Sequence, residues 1–149
     1  ICEKKNIFFN WLLLFYVYGP GQGKNSIIPL LIDVFKNNKT ININYPSNKN
    51  DFIFIDDVVS IIHKFITNDC SSGIYNVGTG KSTSISTIVK LIDNAINGND
   101  MISKKYLNDV DLKKSNQNFF ASTKKLKKNL NNIDFTQIDS GIKKMINYI

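Results

Sequence analysis

The fold is decided by a near-continuous apolar run: residues 7–16 read IFFNWLLLFY, and residues 19–21, Gly-Pro-Gly, end the run. A strand that is apolar on both faces is typical of the middle of a parallel sheet that helices cover on both sides. Two shorter apolar runs, residues 52–55 (FIFI) and 74–77 (IYNV), predict further buried strands. The sequence therefore predicts an α/β fold built on a largely parallel sheet.

Amphipathic segments lie between these runs. The spacing predicts a helix that starts at Asn25 or Ser26, a second helix capped by Asp56 or Asp57, and a third over residues 84–96. The alternating stretch at residues 40–45 predicts a short half-buried strand. Because strands and helices follow one another in turn, crossover connections and parallel pairing are expected.

The last third of the chain is polar and rich in lysine. Residues 101–106 predict a strand, residues 123–130 a short basic helix and residues 137–149 a closing helix, with Thr136 and Asp139 in capping-box spacing. The turn at residues 78–80, Gly-Thr-Gly, is a weak signal for nucleotide binding, and tight packing between strand and helix is its better interpretation.

Composition excludes several classes of protein. The 149 residues carry 19 Lys+Arg against 12 Asp+Glu, for a net charge of +7, and none of the basic residues is arginine. This bias is typical of an AT-rich genome, so it does not by itself indicate a nucleic-acid partner. Residues 11–17 are too short to span a membrane, and two cysteines with one histidine cannot form a four-ligand zinc site. We expect no nucleic acid, no membrane, no metal and a cytoplasmic location.

Three segments together carry a family resemblance: residues 15–22 (FYVYGPGQ), 51–58 (DFIFIDDV) and 75–80 (YNVGTG). They resemble the carboxy-terminal half of the extended short-chain dehydrogenase/reductases, the NAD-dependent epimerases and dehydratases that act on nucleotide sugars. The resemblance implies a single domain, residues 1–149, that contains the carboxy-terminal part of a Rossmann-type parallel sheet plus a small α/β substrate-binding subdomain. It also implies NAD or NADP as cofactor, a nucleotide-sugar substrate and a homodimer at full length.

Two parts of the family pattern are read as missing. The glycine-rich dinucleotide fingerprint and the Tyr-x-x-x-Lys catalytic pair both precede, in the family, the strand that corresponds to residues 7–16. We therefore expect a truncated chain whose missing half holds most of the cofactor. No catalytic residue is assigned, and these 149 residues alone are expected to be inactive.

The resemblance also assigns candidate site residues. Phe15, Tyr16 and Val17 correspond to a strand end beneath the nicotinamide, and Tyr16, where the family often has asparagine, also faces the substrate. The alternative for Tyr16 is a buried aromatic residue at a strand end. Asn25 and Ser26 correspond to a helix start against the nucleotide diphosphate, and the alternative for both is plain helix capping.

Four positions bear on the phosphates and the ribose. Asn50 stands where many members carry a phosphate-binding arginine, and Leu13 and Asn108 stand where other arginines are common. Asp111 is the candidate for an acidic residue that holds the nucleotide ribose, with a plain loop carboxylate as the alternative. The alternative function is a catalytically inactive relative, or a basic module that binds through its lysines without enzymatic activity.

Overall fold

The computed structural model describes residues 8–108 and 117–149, so the Asp111 prediction lies outside the described residues. In these ranges the strands are β1 Asn10–Leu14, β2 Tyr16–Tyr18, β3 Lys49–Asn50, β4 Phe52–Phe54, β5 Gly73–Val77, β6 Thr83–Ser84 and β7 Asn118–Phe119. The helices are α1 Ile27–Lys36, α2 Ile55–Thr67, α3 Ile85–Asn97, α4 Met101–Asn108, α5 Lys124–Asn129 and α6 Ile138–Tyr148. None of the helices in the described ranges is long and apolar enough to cross a bilayer.

The first apolar run forms two strands that pair with different partners. β1 pairs in parallel with β5, with Leu14 opposite Val77, and β2 pairs in parallel with β4, with Tyr16 opposite Phe52. The N–H of Phe15 donates to the carbonyl of Val77 at 3.0 Å, and the next N–H, that of Tyr16, donates to the carbonyl of Asp51 at 3.1 Å. The predicted parallel α/β class is confirmed, and the predicted single strand divides at Phe15.

A small mixed sheet, which the sequence pattern did not predict, lies beside this division. Its central strand β3 pairs antiparallel with β6 and parallel with β7. Asn50 is opposite Thr83 on one side and opposite Phe119 on the other. These two-residue strands are too short for an alternating pattern, but they bring the middle and the end of the chain together.

Two apolar clusters form the core. The first lies among α1, α3 and α6 and includes Tyr18, Phe35, Ile88, Ile92 and Ile142. The second joins α2 and α5 to β4 and β5 and includes Ile53, Val58, Ile61, Tyr75 and Leu126. The first cluster thus supports the subdomain of α1, α3 and α6, and the second supports one face of the parallel strands.

The opposite face of the β1–β5 pair is left open by the described residues. Trp11 lies opposite Ile74 in the ladder, and these side chains are 56% and 61% exposed. Leu13, two residues along β1 on the same face, is 44% exposed. A parallel sheet is normally covered on both faces, so this apolar face lacks the cover that its composition implies.

Two predicted strands are wrong. Residues 40–45 form no strand, although Ile43 is buried and Ile41 packs beside it on the first cluster, so the alternation reflects loop packing. Residues 101–106 lie in the helix α4. The carboxylate of the buried Asp93 on α3 accepts from the N–H of Ser103 at 2.7 Å. This bond satisfies a free N–H of the first turn from a different element, which a local pattern cannot reveal.

The predicted helix caps at Asp57 and Thr136 are also wrong, because the two side chains bind each other. The carboxylate of Asp57 accepts from the N–H of Thr136 at 2.9 Å and from its hydroxyl at 2.8 Å. The cap residue of α2 is Phe54, with Asp56 and Asp57 in the first turn, and that of α6 is Gln137. The pair therefore connects the start of α2 to the start of α6.

Candidate functional site

An open cleft of about 360 Å³ lies where β2, β3 and β7 meet. Its lining residues are Tyr16, Asn50, Gln117, Asn118 and Phe119. Tyr16 and Asn50 are both predicted site residues, and the pairing of β2 with β4 and of β3 with β7 brings them together. Among the residues that the structure describes, the lining has aromatic rings and neutral amides but no charged side chain.

The aromatic rings of the cleft form an exposed surface. The rings of Phe15 and Phe119 stack with centroids 5.0 Å apart and planes 18° from parallel. Tyr16 meets Phe119 edge-on at 6.3 Å and lies 5.7 Å from the ring of Phe52. Tyr16 is 47% exposed and Phe119 is 55% exposed, so the alternative of a buried aromatic residue at Tyr16 is wrong. Exposed faces of this kind suit a planar base or the apolar face of a sugar.

Behind the cleft lies the carboxylate of Asp51, a fully buried group. It accepts hydrogen bonds from the N–H of Thr79 at 2.9 Å, its hydroxyl at 2.5 Å, the N–H of Gly80 at 2.8 Å and the N–H of Ala121 at 3.1 Å. Two amides of the Gly-Thr-Gly turn thus already bind an internal anion. This observation argues against the use of the same amides as a phosphate cradle.

Gly78 shows why that turn is tight. A Cβ at this residue would lie 2.7 Å from both the Asp51 carboxylate and the Cβ of Ala121, closer than real side chains approach. The close packing predicted for the turn is present, but its partners are Asp51 and Ala121 and not the following helix.

The predicted cofactor residues do not share one surface. Tyr16 lines the cleft, whereas Val17 lines a second cleft of about 230 Å³ at the loop of residues 19–22. The side-chain amide of Gln22 donates to the Val17 carbonyl at 3.1 Å. The N–H groups of Phe15 and Tyr16 are engaged in the sheet, so these main-chain groups are not free to bind a nicotinamide carboxamide.

Asn25 and Ser26 stand at the start of α1. Ser26 is the cap residue, in extended conformation, and its side chain makes no capping hydrogen bond. Its N–H donates to the carbonyl of Gly23 at 2.9 Å. The cleft where β2, β3 and β7 meet is lined by neither Asn25 nor Ser26, so their predicted contact with a diphosphate stays a prediction.

Two lysines of the basic last third bind the chain itself. Lys125 Nζ lies 4.3 Å from the ring centroid of Tyr75 and donates to the carbonyl of Ile74 at 3.1 Å. Lys144 Nζ lies 4.9 Å from the ring centroid of Phe54 and 3.7 Å from the carboxylate of Asp56. These contacts give both residues a packing role that requires no nucleic acid.

The amino-acid sequence also matches the model of a known protein family. The family model described as "NAD dependent epimerase/dehydratase family" matches residues 1–78. The chain belongs to the NAD-dependent epimerase/dehydratase family. The family that the three sequence segments predict is therefore confirmed.

The names of curated relatives refer to nucleotide-linked sugars. The chain is 38% identical over 92 residues to the CDP-abequose synthase of Salmonella muenchen, a match that covers 60% of this chain and 31% of that protein. It is 30% identical over 109 residues to the ADP-L-glycero-D-manno-heptose-6-epimerase of Fusobacterium nucleatum, covering 64% and 32%. The matches thus span about a third of the length of these relatives.

Solved structures share the fold. The UDP-glucose 4-epimerase of Thermotoga maritima with UDP-glucose superposes with a TM-score of 0.78 at 17% identity, covering 99% of this chain and 47% of that chain. The UDP-N-acetylglucosamine 4-epimerase of Methanobrevibacter ruminantium gives 0.78 at 20% identity with the same coverage. The TM-scores show that this chain shares its fold with about half of each of these epimerases.

Two described tyrosines, Tyr45 and Tyr18, bear on the catalytic pair of the family. Tyr45 and Lys49 have the Tyr-x-x-x-Lys spacing, but they occupy a turn and the strand β3, so the helical geometry of the family pair is not formed. Tyr18 is buried, and burial, reinforced by the carboxylates of Asp57 and Asp139, raises its pKa far above the usual range. A phenol held neutral in this way cannot serve as a general base at neutral pH.

Sequence reasoning missed three lining residues, Gln117, Asn118 and Phe119. Asn118 and Phe119 form only a two-residue strand and Gln117 directly precedes it, so the three residues carry no helical or strand periodicity. The one available signal was the pair of phenylalanines at residues 119 and 120 within a polar, lysine-rich stretch.

Proposed function

We propose that this chain supplies the nucleotide-sugar-binding part of an NAD-dependent epimerase, dehydratase or ketoreductase. The observation that carries the proposal is the meeting of Tyr16, Asn50 and Phe119 in one open cleft, in a chain of the epimerase/dehydratase family. Relatives named for CDP-, ADP- and dTDP-linked sugars support the substrate class.

The described lining residues of the cleft can orient a ligand through neutral groups. The amides of Asn50, Gln117 and Asn118 can donate to phosphate or sugar oxygens and accept from hydroxyl groups. The rings of Tyr16 and Phe119 can pack against a base or a sugar ring. Neutral amides bind a diphosphate less strongly than an arginine fork does, so the aromatic contacts carry a larger share of the affinity.

The amides of the Gly-Thr-Gly turn and of the Phe15–Tyr16 strand end do not fit the phosphates of a dinucleotide. The amides of the Gly-Thr-Gly turn are bound to Asp51, and the N–H groups of Phe15 and Tyr16 are bound within the sheet. NAD or NADP is therefore assigned to polypeptide other than the described residues, as are the catalytic tyrosine and lysine. A homodimer of the full-length protein and a cytoplasmic location remain part of the same proposal.

An inactive relative that binds the same ligands is the second candidate. The observation that favours it is that no cationic side chain lines the cleft within residues 8–108 and 117–149, where Asn50 takes the place of an arginine common in the family. The basic binding module is disfavoured by the intramolecular contacts of Lys125 and Lys144.

Calorimetric titration of the 149-residue chain tests the proposal. UDP-, CDP-, ADP-, GDP- and dTDP-linked hexoses are the probes, and we expect saturable binding of at least one. Phe119→Ala should weaken that binding by about fivefold, because aromatic contacts of this kind contribute about 1 kcal/mol. Phe8→Ala, at a side chain that is 84% exposed and does not line the cleft, is the matched control.

Three results would contradict the proposal. They are a failure of all five probes to bind, an equal loss in the control and the Phe119 variant, and binding that survives Phe119→Ala unchanged. Turnover of a bound sugar by these 149 residues with added NAD would contradict the assignment of catalysis to other polypeptide.

A further inference from the structure

The fully buried Asp51 connects every segment that forms the cleft wall. Its carbonyl accepts from the N–H of Tyr16 at 3.1 Å, and its carboxylate accepts from Thr79, Gly80 and Ala121. We propose that Asp51 is a positioning residue, whose carboxylate holds the wall of Asn50 and Phe119 in place against Tyr16.

Because of the chain connectivity, these hydrogen bonds also fix the positions of Asn50 and Phe119. Asn50 directly precedes Asp51 and is paired with Phe119 in the β3–β7 ladder. Ala121, two residues beyond Phe119, donates its N–H to the carboxylate at 3.1 Å. The ladder holds one side of this short segment and the carboxylate holds the other. Without the carboxylate, a two-residue strand is the main backbone restraint on Phe119.

For the Asp51 carboxylate, the ability to accept hydrogen bonds is as important as its shape. A carboxylate only accepts hydrogen bonds, and all four of its partners here donate. In Asp51→Asn, an isosteric change, an NH₂ group would face main-chain N–H donors and leave buried donors without an acceptor. We therefore expect the turn and the residue 119–121 segment to separate from the strand end.

Asp93 provides a matched control. It is also fully buried, and its carboxylate accepts from the N–H of Ser103 at 2.7 Å and from the side-chain amide of Asn97 at 2.8 Å. The bond to Ser103 joins α3 to α4, the bond to Asn97 lies within α3, and Asp93 does not line the cleft. Loss of either carboxylate should destabilise the fold, but only loss of Asp51 should disturb the cleft.

Hydrogen exchange followed by mass spectrometry on the full 149-residue chain tests the positioning directly. Asp51→Asn should accelerate exchange at the amides of Thr79, Gly80 and Ala121 at least tenfold over the wild-type chain. Asp93→Asn should accelerate exchange in α4 and leave those three amides within twofold. The same pattern of exchange in both variants, or unchanged exchange at the three amides in Asp51→Asn, would overturn the proposal.

A milder pair of variants serves if Asp51→Asn does not fold. Thr79→Val removes the hydroxyl that donates to Asp51, and Thr79→Ser keeps it. We expect faster exchange at Gly80 and Ala121 in the valine variant and wild-type rates in the serine variant. Equal exchange rates in the two variants would contradict the role of the carboxylate.

A binding measurement extends the test and rests on the proposed function. The nucleotide sugar that binds the wild-type chain should lose at least tenfold in affinity in Asp51→Asn and less than twofold in Asp93→Asn. If no nucleotide sugar binds the wild-type chain, the proposed function fails while the exchange measurement still decides the role of Asp51. If binding occurs and Asp51→Asn leaves it unchanged, the positioning role fails alone.

Discussion

The ring of Phe119 stacks on the ring of Phe15 at a centroid distance of 5.0 Å. Phe15 is the residue at which the first strand changes its partner from β5 to β4, and Phe119 ends the short strand β7. The stack therefore holds Phe119, which lines the cleft, against the residue at which the first strand divides. Its exposed edge lies beside Tyr16 and Asn50, which places the aromatic and amide groups within reach of one ligand.

Introducing a guanidinium at residue 50 should strengthen diphosphate binding. We expect Asn50→Arg to tighten the affinity for a nucleoside diphosphate, because arginine supplies a charge and a two-pronged donor that the amide lacks. Asn50→Lys, with a charge but no fork, should give a smaller gain. Calorimetry at two salt concentrations measures both effects, and the gain should shrink with added salt. Equal or weaker binding in the arginine variant would count against a phosphate near residue 50.

Gly141→Ala should destabilise the fold through a clash with Tyr18. A Cβ at Gly141 on α6 would overlap the hydroxyl and ring of Tyr18, both within the first apolar cluster. We expect a loss of about 1–3 kcal/mol in the free energy of unfolding, which chemical denaturation measures. Ser140→Ala, at an exposed residue of the same helix, should change it by less than about 0.5 kcal/mol. A Gly141→Ala protein as stable as the control would show that α6 can shift without cost.

Tyr18→Phe should extend stability to higher pH. The pKa of Tyr18 is raised by burial and by the Asp57 and Asp139 carboxylates, so the folded state retains a proton that the unfolded state releases near pH 10. Tyr18 therefore contributes stability that is present below about pH 10 and is lost as the pH rises further. Denaturation across alkaline pH should show a shallower decline in the phenylalanine variant. Parallel declines in the two proteins would contradict the raised pKa.

The open face of the β1–β5 pair should drive self-association of the 149-residue chain. Trp11, Leu13 and Ile74 present adjacent exposed apolar surface there, which favours association in water. Trp11→Lys should increase the monomer fraction in sedimentation measurements over a range of protein concentrations. Tyr45→Lys, at a loop side chain that is 52% exposed, is the matched control and should not. The same concentration dependence in both variants would rule this face out as the association surface.

The sequence could predict the parts of the fold that apolar periodicity encodes. The strand at residues 74–77 and the helices α1, α2, α3, α5 and α6 follow from that periodicity. Residues 40–45 and α4 could not be predicted, because Ile43 packs without strand pairing and Ser103 is held by Asp93 from another element. Tertiary contacts decided both cases against the local pattern.

The candidate site divides in the same way. Tyr16 and Asn50 were predicted from a family resemblance, and the structure brings them to one cleft. Phe119 depends on pairing across the chain through a two-residue strand, and Asp51 depends on donors that are 28 to 70 residues away in sequence. Neither relationship leaves a periodic mark in the sequence.

The change of partner at Phe15 has a consequence for how the cleft can evolve. A crevice forms where strands part at their carboxyl ends, so the backbone sets its location before any side chain is specified. Replacing Tyr16 or Asn50 can therefore alter which ligand is recognised without relocating the crevice. In this way a chain without arginine can keep its ligand at the same place in the fold while its selectivity changes.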